Sequence, residues 1–480
     1  MIPSKLKRPT FAFALFLVIF SYKVNAQQVI SLQKAIDLTL QNNLNIKQAQ
    51  LTEALADEDF KQSKNNLLPI ISANPQATYN HGKSQVAGAF AYASSTLNLN
   101  GNASISVTLF QGGQLKNQIL QNKLILDADK TATSKVKNDL ILNVVTNYLT
   151  ILTDQDLVIA AKQQVALAQI TLDRTQKNFD AGNLTKADLA QAQAQVSTAE
   201  LNLTNAQNQV DLAILILKQF MEMPATTDIL VEKPDISKLT DIKTIYDPTE
   251  VIKTALTVNP DIKLAETQQQ TYLQAIKVAK GNYYPTLSLF GGLGSNYSNQ
   301  AKANTSDQPT ITTGPSPVGV VQGTGQNVLP LIYSYNQAPI SFIDQLNNNF
   351  NQSIGLSLQI PIFNRFTAQT SVRKAKISYQ NAELATQIAK NNLSKTIIQA
   401  ILDLHASEKS YQSALQTFES NKEALNVTKQ RFEAGLVNTL EYNTALTNYN
   451  KSQNDMIEGR YQMIFRSKVI DYYLGNQISL

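Results

Sequence analysis

The chain has no cysteine and only two histidines in 480 residues. The first absence excludes disulfides, thiol catalysis, Cys-based metal sites and an acylated N-terminal cysteine. His81 and His405 each lack a second His or Cys at ligand spacing, so neither is read as a metal ligand, and no cofactor is expected. Long apolar runs are also missing. Beyond residue 26 no window approaches 18 uninterrupted apolar residues, which excludes a membrane-spanning helix from the mature chain. Entry into a membrane would then require a closed β-barrel, the other architecture that satisfies its own backbone hydrogen bonds. Charged residues make up 16% of the chain, and the net charge of +5 is scattered, leaving no nucleic-acid patch. No paired acids or nucleophile–base set suggests an enzyme. Gln111-Gly112-Gly113 lacks the following Lys-Ser/Thr of a phosphate loop and is read as a bend from strand to helix.

What is present begins with Lys5, Lys7 and Arg8, an apolar run from Phe11 to Phe20, and Val24-Asn25-Ala26 where a signal peptidase would read. Residues 1–26 are expected to be a removable signal peptide, because a run of roughly ten residues is about half the length of a spanning anchor. Asn and Gln are abundant, which suits a wet, neutral lumen.

The mature chain is an internal duplication. Asn43-Leu44-Asn45-Ile46-Lys47 recurs 216 positions on as Asn259-Pro260-Asp261-Ile262-Lys263, and Pro69 recurs as Pro285. Ile105 to Phe110 resembles Leu358 to Phe363, and Phe179-Asp180-Ala181-Gly182 resembles Phe432-Glu433-Ala434-Gly435, both 253 positions on. The repeats are placed at 29–222 and 248–475, with a linker at 223–247. The second copy has gained 37 residues, which coincide with Asn296 to Asn349, a Gly/Pro/Ser/Thr/Asn-rich stretch read as a long irregular loop.

From Gln114 to about Asn178 the pattern is helical, with Val144, Ile151, Val158, Val165, Leu172 and Phe179 apolar at every seventh position. The second copy repeats it at Ile397, Leu404, Tyr411, Phe418, Leu425 and Phe432. Such a stripe asks for left-handed supercoiling against neighbours. A further helix follows each turn, giving helical hairpins over about 112–222 and 364–475. At about 1.5 Å per residue, roughly 65 residues make a helix on the order of 100 Å long.

Between these parts, Leu97, Leu99, Gly101, Ala103, Ile105, Val107 and Leu109 alternate with Asn98, Asn100, Asn102, Ser104, Ser106 and Thr108. Ile354, Leu356, Leu358, Ile360 and Ile362 repeat the alternation, with weaker partners at 70–79 and 286–297. These are read as β-hairpins over about 70–109 and 286–362, in segments of about ten residues, the length of a tilted transmembrane strand. Four strands cannot close a barrel, since known ones begin at eight, so chains must share it; strand counting permits a dimer of eight or a trimer of twelve. A structural coiled-coil cell-surface protein without transport activity is the competing reading, and the strand alternation argues against it.

The chain resembles the TolC-type family of outer-membrane efflux proteins over its whole mature length. The resemblance is carried by ISLQKAIDLTLQNNLNIK, by SVTLFQGG with its second version LQIPIFNR, and by the turns FDAGNLTKADL and FEAGLVNTLEY, all in family order. It implies an α+β membrane protein: a homotrimer in which four strands per protomer build a shared twelve-stranded barrel in the outer membrane, above a coiled-coil helical barrel in the periplasm. It places an equatorial region at Pro224 to Asp247 and the C-terminal tail. The implied partners are outer-membrane lipid, a periplasmic adaptor protein docking on the helical tips, and an inner-membrane pump. No reaction is catalysed, and the same duct would serve efflux or type I secretion.

Members of the family close the periplasmic end with tyrosine, arginine and aspartate contacts and line it with carboxylates. Asp188, nine residues after Phe179, falls on the iris carboxylate; Glu441, nine after Phe432, falls on the first ring position. Either could instead be a solvated acid near the positive end of a helix dipole. Three positions depart from the family: Phe432 replaces the tyrosine, Val437 the arginine and Thr444 the second ring aspartate. A hydrophobic closure through Phe432 and Val437 is therefore expected. Gly182-Asn183 and Gly435-Leu436 are the expected adaptor-docking tips, each glycine permitting the positive φ of a tight helical turn.

Overall fold

A computed structural model describes residues 28–86, 89–234 and 244–476; the expected signal peptide and the middle of the linker lie outside the described residues. In chain order the first copy contains β1 (Gln28–Ile30), α1 (Leu32–Asn42), α2 (Leu44–Asn65), β2 (Ile70–Val86), β3 (Ala89–Gln111), α3 (Gln114–Asp180) and α4 (Lys186–Phe220), followed by β4 (Ile229–Val231). The second contains α5 (Pro248–Val258), α6 (Pro260–Lys280), β5 (Thr286–Ser298), six short strands β6 (Lys302–Asn304), β7 (Thr310–Thr313), β8 (Gly319–Val320), β9 (Asn327–Val328), β10 (Leu331–Ser334) and β11 (Gln337–Pro339), then α7 (Phe342–Asn348), β12 (Asn351–Gln359), α8 (Thr367–Glu433) and α9 (Thr439–Leu474).

The duplication holds at element boundaries. Leu32 and Leu44 open α1 and α2, and Pro248 and Pro260, 216 positions later, open α5 and α6; α3 from 114 to 180 recurs as α8 from 367 to 433, 253 positions later. Asn43 and Asn259 end α1 and α5 as buried C-caps. Pro248 and Pro260 sit at helix starts, where a missing N–H costs nothing.

The described residues fall into two units. One comprises residues through Gln48, Ser134–Asn259 and those from Asn392; the other comprises Ala49–Thr133 and Pro260–Asn391. In the first, Val144, Val145, Tyr148, Ile151 and Leu152 of α3 pack with Ile30, Ile36, Leu217, Ile457 and Ile464 in one core. β1 and β4 pair in parallel there, and the buried Tyr148 hydroxyl donates to the carbonyls of Ile30 (3.1 Å) and Glu232 (2.6 Å) at their ends. Of the seven-residue stripe, Val144 and Ile151 are fully buried, while Val158, Val165, Leu172 and Phe179 are only half covered. That part of the stripe retains apolar surface for a further neighbour.

In the second unit the four long strands make one antiparallel sheet, ordered β12-β5-β3-β2, so β2 and β12 each have one pairing edge unused among the described residues. The register puts Ile71, Ile105, Gly291 and Ile354 in one row and Ser72, Ser104, Gly292 and Ser353 in the next. The expected alternation is therefore carried across the four strands, one face apolar and the other mainly polar, with Ile70 and Phe290 in one row of the polar face. The apolar face is exposed, Ile354 by 82%.

Several boundaries differ from expectation. β2 and β3 run for 17 and 23 residues rather than about ten, their pairing continuing past Leu97 as far as Val86 with Ala89. His81 lies within β2, its Nδ1 3.0 Å from the Ser95 hydroxyl. β12 stops at Gln359 rather than Ile362, since Pro361 has no N–H to extend a ladder. The stretch read as an irregular loop is a nested set of ladders, β6 with β11, β7 with β10 and β8 with β9. Its strands are two to four residues long, too short to show a period between the glycines and prolines. Buried Gln345 of α7 closes the excursion: its amide donates to the carbonyls of Ser298 (3.0 Å) and Ile340 (2.9 Å) and its oxygen accepts from the Ser298 amide (2.8 Å).

Both strand-to-helix bends use left-handed backbone. In the first copy these residues are Gly112 (φ 56°) and Gly113 (φ 72°); in the second they are Arg365 (φ 55°) and Phe366 (φ 60°). Gly112 is also a close approach, since a Cβ there would lie 2.6 Å from the Gly281 carbonyl oxygen.

Candidate functional site

The two helical tips share one geometry. At the end of α3 the Gly182 amide donates to Phe179 O and the Asn183 amide to Asn178 O, both at 2.9 Å. At the end of α8 the Gly435 amide donates to Phe432 O (3.1 Å) and the Leu436 amide to Arg431 O (2.8 Å). This paired closure satisfies the last helical carbonyls and needs a left-handed residue, supplied by Gly182 (φ 77°) and Gly435 (φ 71°). It leaves Asn183 and Leu436 at the surface, Leu436 71% exposed.

Each following helix is capped in turn. Thr185 caps α4: its hydroxyl oxygen accepts from the Asp188 amide (3.3 Å), and the Asp188 carboxylate accepts from the Thr185 hydroxyl (2.7 Å) and amide (3.0 Å). These bonds from Thr185, with one from the Thr439 hydroxyl, hold the Asp188 carboxyl below its usual range. Asn438 caps α9 by accepting from the Glu441 amide at 2.9 Å.

The sequence-derived residues are distributed unevenly over this tip. Phe432 is half-buried in a cluster with Leu425, Tyr442, Leu446 and Leu167, and its ring stacks on Tyr442. The Arg174 guanidinium lies 5.3 Å from the Phe432 ring centroid and reaches the Glu433 carboxylate (3.4 Å) and its backbone carbonyl (3.4 Å). Glu441 is ion-paired with Arg431 at 3.4 Å, both side chains about half exposed, which offsets part of its charge. Val437 is half-buried, while Thr444 is exposed and its hydroxyl donates to the Leu440 carbonyl at 2.8 Å, an ordinary helical back-bond. Asp188 contacts Thr185 and Thr439, apart from the Arg174–Glu433 and Arg431–Glu441 pairs.

Sequence reasoning missed Arg174, Arg431 and Tyr442. Nothing local singles out either arginine. It also missed the charged hub within the same unit: the nearly buried Asp156 carboxylate accepts from Arg460 (2.8 Å) and Tyr461 (2.9 Å) and is ion-paired with Lys233. Burial, then the Asp156 charge, pushes the Tyr461 hydroxyl above its usual range. Nearby on α3, burial and then the Glu458 charge push the Asp154 carboxyl up to about 6.

Among the described residues no helix is long and apolar enough to cross a membrane, and no group of acids, His or Cys could hold a metal. The profile of the family described as outer membrane efflux protein matches residues 35–221 and 251–476. Outer membrane protein TolC of Escherichia coli K12 is 22% identical over 439 residues, 90% of this chain and 80% of its own. Among solved structures, CusC superposes with a TM-score of 0.75 at 15% identity, over 93% of this chain and 92% of its own. The CmeC outer membrane channel of Campylobacter jejuni gives 0.72 at 18% identity, over 92% and 85%. At these identities the structural likeness speaks to the fold.

Proposed function

Because the chain belongs to the outer membrane efflux protein family, and so resides in the outer membrane with its helical part in the periplasm, we propose that it is the exit duct of a tripartite efflux or type I secretion system. It works as a passive homotrimer, taking solute from an inner-membrane pump through a periplasmic adaptor that docks on Gly182-Asn183 and Gly435-Leu436. Phe432 and Val437, with Asp188, Glu441 and Thr444 around them, form the constriction at the periplasmic end.

The observation that carries this reading is the open sheet. Four strands with one apolar and one polar face, and with edges of β2 and β12 unused among the described residues, satisfy their backbone in lipid only when edges of successive copies meet. Three copies give twelve strands, within the range of known barrels. The half-covered stripe of α3 agrees, offering each helical hairpin a surface for the next copy.

The test is the particle mass of detergent-purified protein together with its behaviour in a planar bilayer. A threefold mass and discrete conductance steps are expected. A monomer without steps would overturn the proposal.

A further inference from the structure

We propose that Phe290, laid over Gly355 on the polar face of the sheet, is a stacking platform inside the duct for flat aromatic solutes in transit. The site rests on the reading of the sheet as a duct wall, since that reading turns the polar face to the lumen.

The register makes Phe290 an exception among its neighbours. Ile70, Ser106, Phe290 and Gly355 form one row of the polar face. The rows around it carry hydroxyls, amides and glycines. From the row of Thr108 to the row of Thr78 this face holds no charged side chain, and Ile70 and Phe290 are its two apolar ones. Both meet solvent, Ile70 by 71% and Phe290 by 43%. Among the described residues no other ring is paired with Phe290.

The strand beside it sets the pose of the ring. A Cβ added at Gly355 would lie 2.7 Å from Phe290 Cζ and 3.1 and 3.3 Å from its two Cε atoms. The end of the ring therefore reaches across β12 into the space that a side chain at 355 would fill. An aromatic residue opposite a glycine shields the backbone there. Shielding alone does not call for a phenyl ring. Two other glycines of the same face, Gly292 and Gly294, are overlain by Ser353 Oγ and Asn351 Oδ1, each 3.2 Å from the position of an added Cβ. What Phe290 adds over Ser or Asn is an apolar body with a π face, held on a wall that is otherwise wet.

That chemistry selects a class of solute. A flat aromatic molecule stacks on the ring, while its polar substituents meet the hydroxyls and amides of the adjoining rows. Ile70, in the same row, adds apolar contact. With no charged side chain at this level, the sign of the solute's charge does not decide binding here. A single ring per chain holds a solute weakly enough to release it, which passage through a duct requires.

The test is block of single channels in a planar bilayer by 1-naphthylmethylammonium and by cyclohexylmethylammonium, cations of equal charge, added on the side opposite the helices. In the parent the naphthyl probe should dwell about threefold longer or more. Phe290→Leu should remove that difference with particle mass and open conductance as in the parent; Phe290→Met serves if Phe290→Leu fails to assemble. Phe290→Trp should keep the difference. Equal dwell times of the two probes in the parent, or a naphthyl preference that survives Phe290→Leu, overturns the platform and leaves the duct standing.

The chain contains no tryptophan, so Phe290→Trp is also a single fluorophore. In phosphatidylcholine vesicles its emission should be quenched by iodide and not by brominated acyl chains. Quenching by the bromines puts position 290 against lipid and overturns the platform even in a conducting channel. A parent that gives no conductance steps overturns the duct, and the platform with it.

Discussion

The Phe432 ring lies parallel to that of Tyr442, with centroids 4.9 Å apart and planes 13° from each other. Phe432 is near the end of α8 and Tyr442 is in the first turn of α9, so the stack bridges the hairpin turn; Arg174 of α3 lies by the same phenyl ring. The absence of a hydroxyl at 432 is thus met by an aromatic contact rather than by a hydrogen bond. Phe432→Ala removes both the stack and the cation–π contact and is expected to raise conductance or leak about twofold or more. Tyr442→Phe keeps the stack and loses only a long 3.4 Å contact with the Thr171 hydroxyl, so its conductance should stay near the parent's. Single-channel recording of both variants decides, and an unchanged Phe432→Ala channel removes the hydrophobic closure.

Leu436 is bound to the tip through its backbone and projects an exposed side chain. Leu436→Asp leaves the helix-ending hydrogen bonds in place and should cost less than about 0.5 kcal/mol of stability, as surface changes do. If the adaptor docks there, the variant assembles normally yet loses most drug resistance in an efflux-deficient host. Full resistance at equal protein level would move the docking site elsewhere.

The two strand-to-helix bends respond oppositely to substitution. Gly112→Ala places a Cβ against the Gly281 carbonyl and the Tyr284 side chain at positive φ, and should destabilise by about 1–3 kcal/mol. Arg365→Gly relieves the strain at the matching position and should stabilise the detergent-solubilised protein by up to about 1 kcal/mol. Thermal unfolding followed by circular dichroism gives both signs, and destabilisation by Arg365→Gly would show that the guanidinium has an intramolecular role.

Asp154 carries a pH dependence. Its folded-state pKa of about 6 lies above the ordinary 3.8, through burial first and the Glu458 charge second. The folded chain therefore holds this proton to higher pH than the unfolded one. The contribution is fully present below about pH 4 and is lost as pH rises through 6. Asp154→Asn should stabilise by about 1 kcal/mol at pH 7.5, discounted for the partial exposure of the group, and by almost nothing at pH 4. Equal gains in melting temperature at the two pH values would show that the charge at 154 is not the cause.

Much of this molecule was legible because its signals are local and repeated. The period of two from Leu97 to Leu109 set the faces of β3, and the register then placed Ile71, Ile105 and Ile354 on the same side. The twofold recurrence of the Phe-acid-Ala-Gly turn located both tips, and the glycines have the positive φ that the turn demands. The nested ladders of 302–339 were not legible, because two- to four-residue strands among glycines and prolines carry no measurable period.

The sequence by itself determined the long helices and the four long strands, their duplication, and which face of each is apolar, since all of these follow from the spacing of neighbours along one strand or helix. Only the tertiary structure decided how charges pair. Arg174 meets Glu433 across 259 positions and Asp156 meets Arg460 across 304, and no local pattern distinguishes these residues from the other charged residues of the same helices. It also decided that Val144 and Ile151 are buried within the protomer while Leu172 and Phe179 are only half covered, because burial depends on what packs opposite and not on the stripe itself.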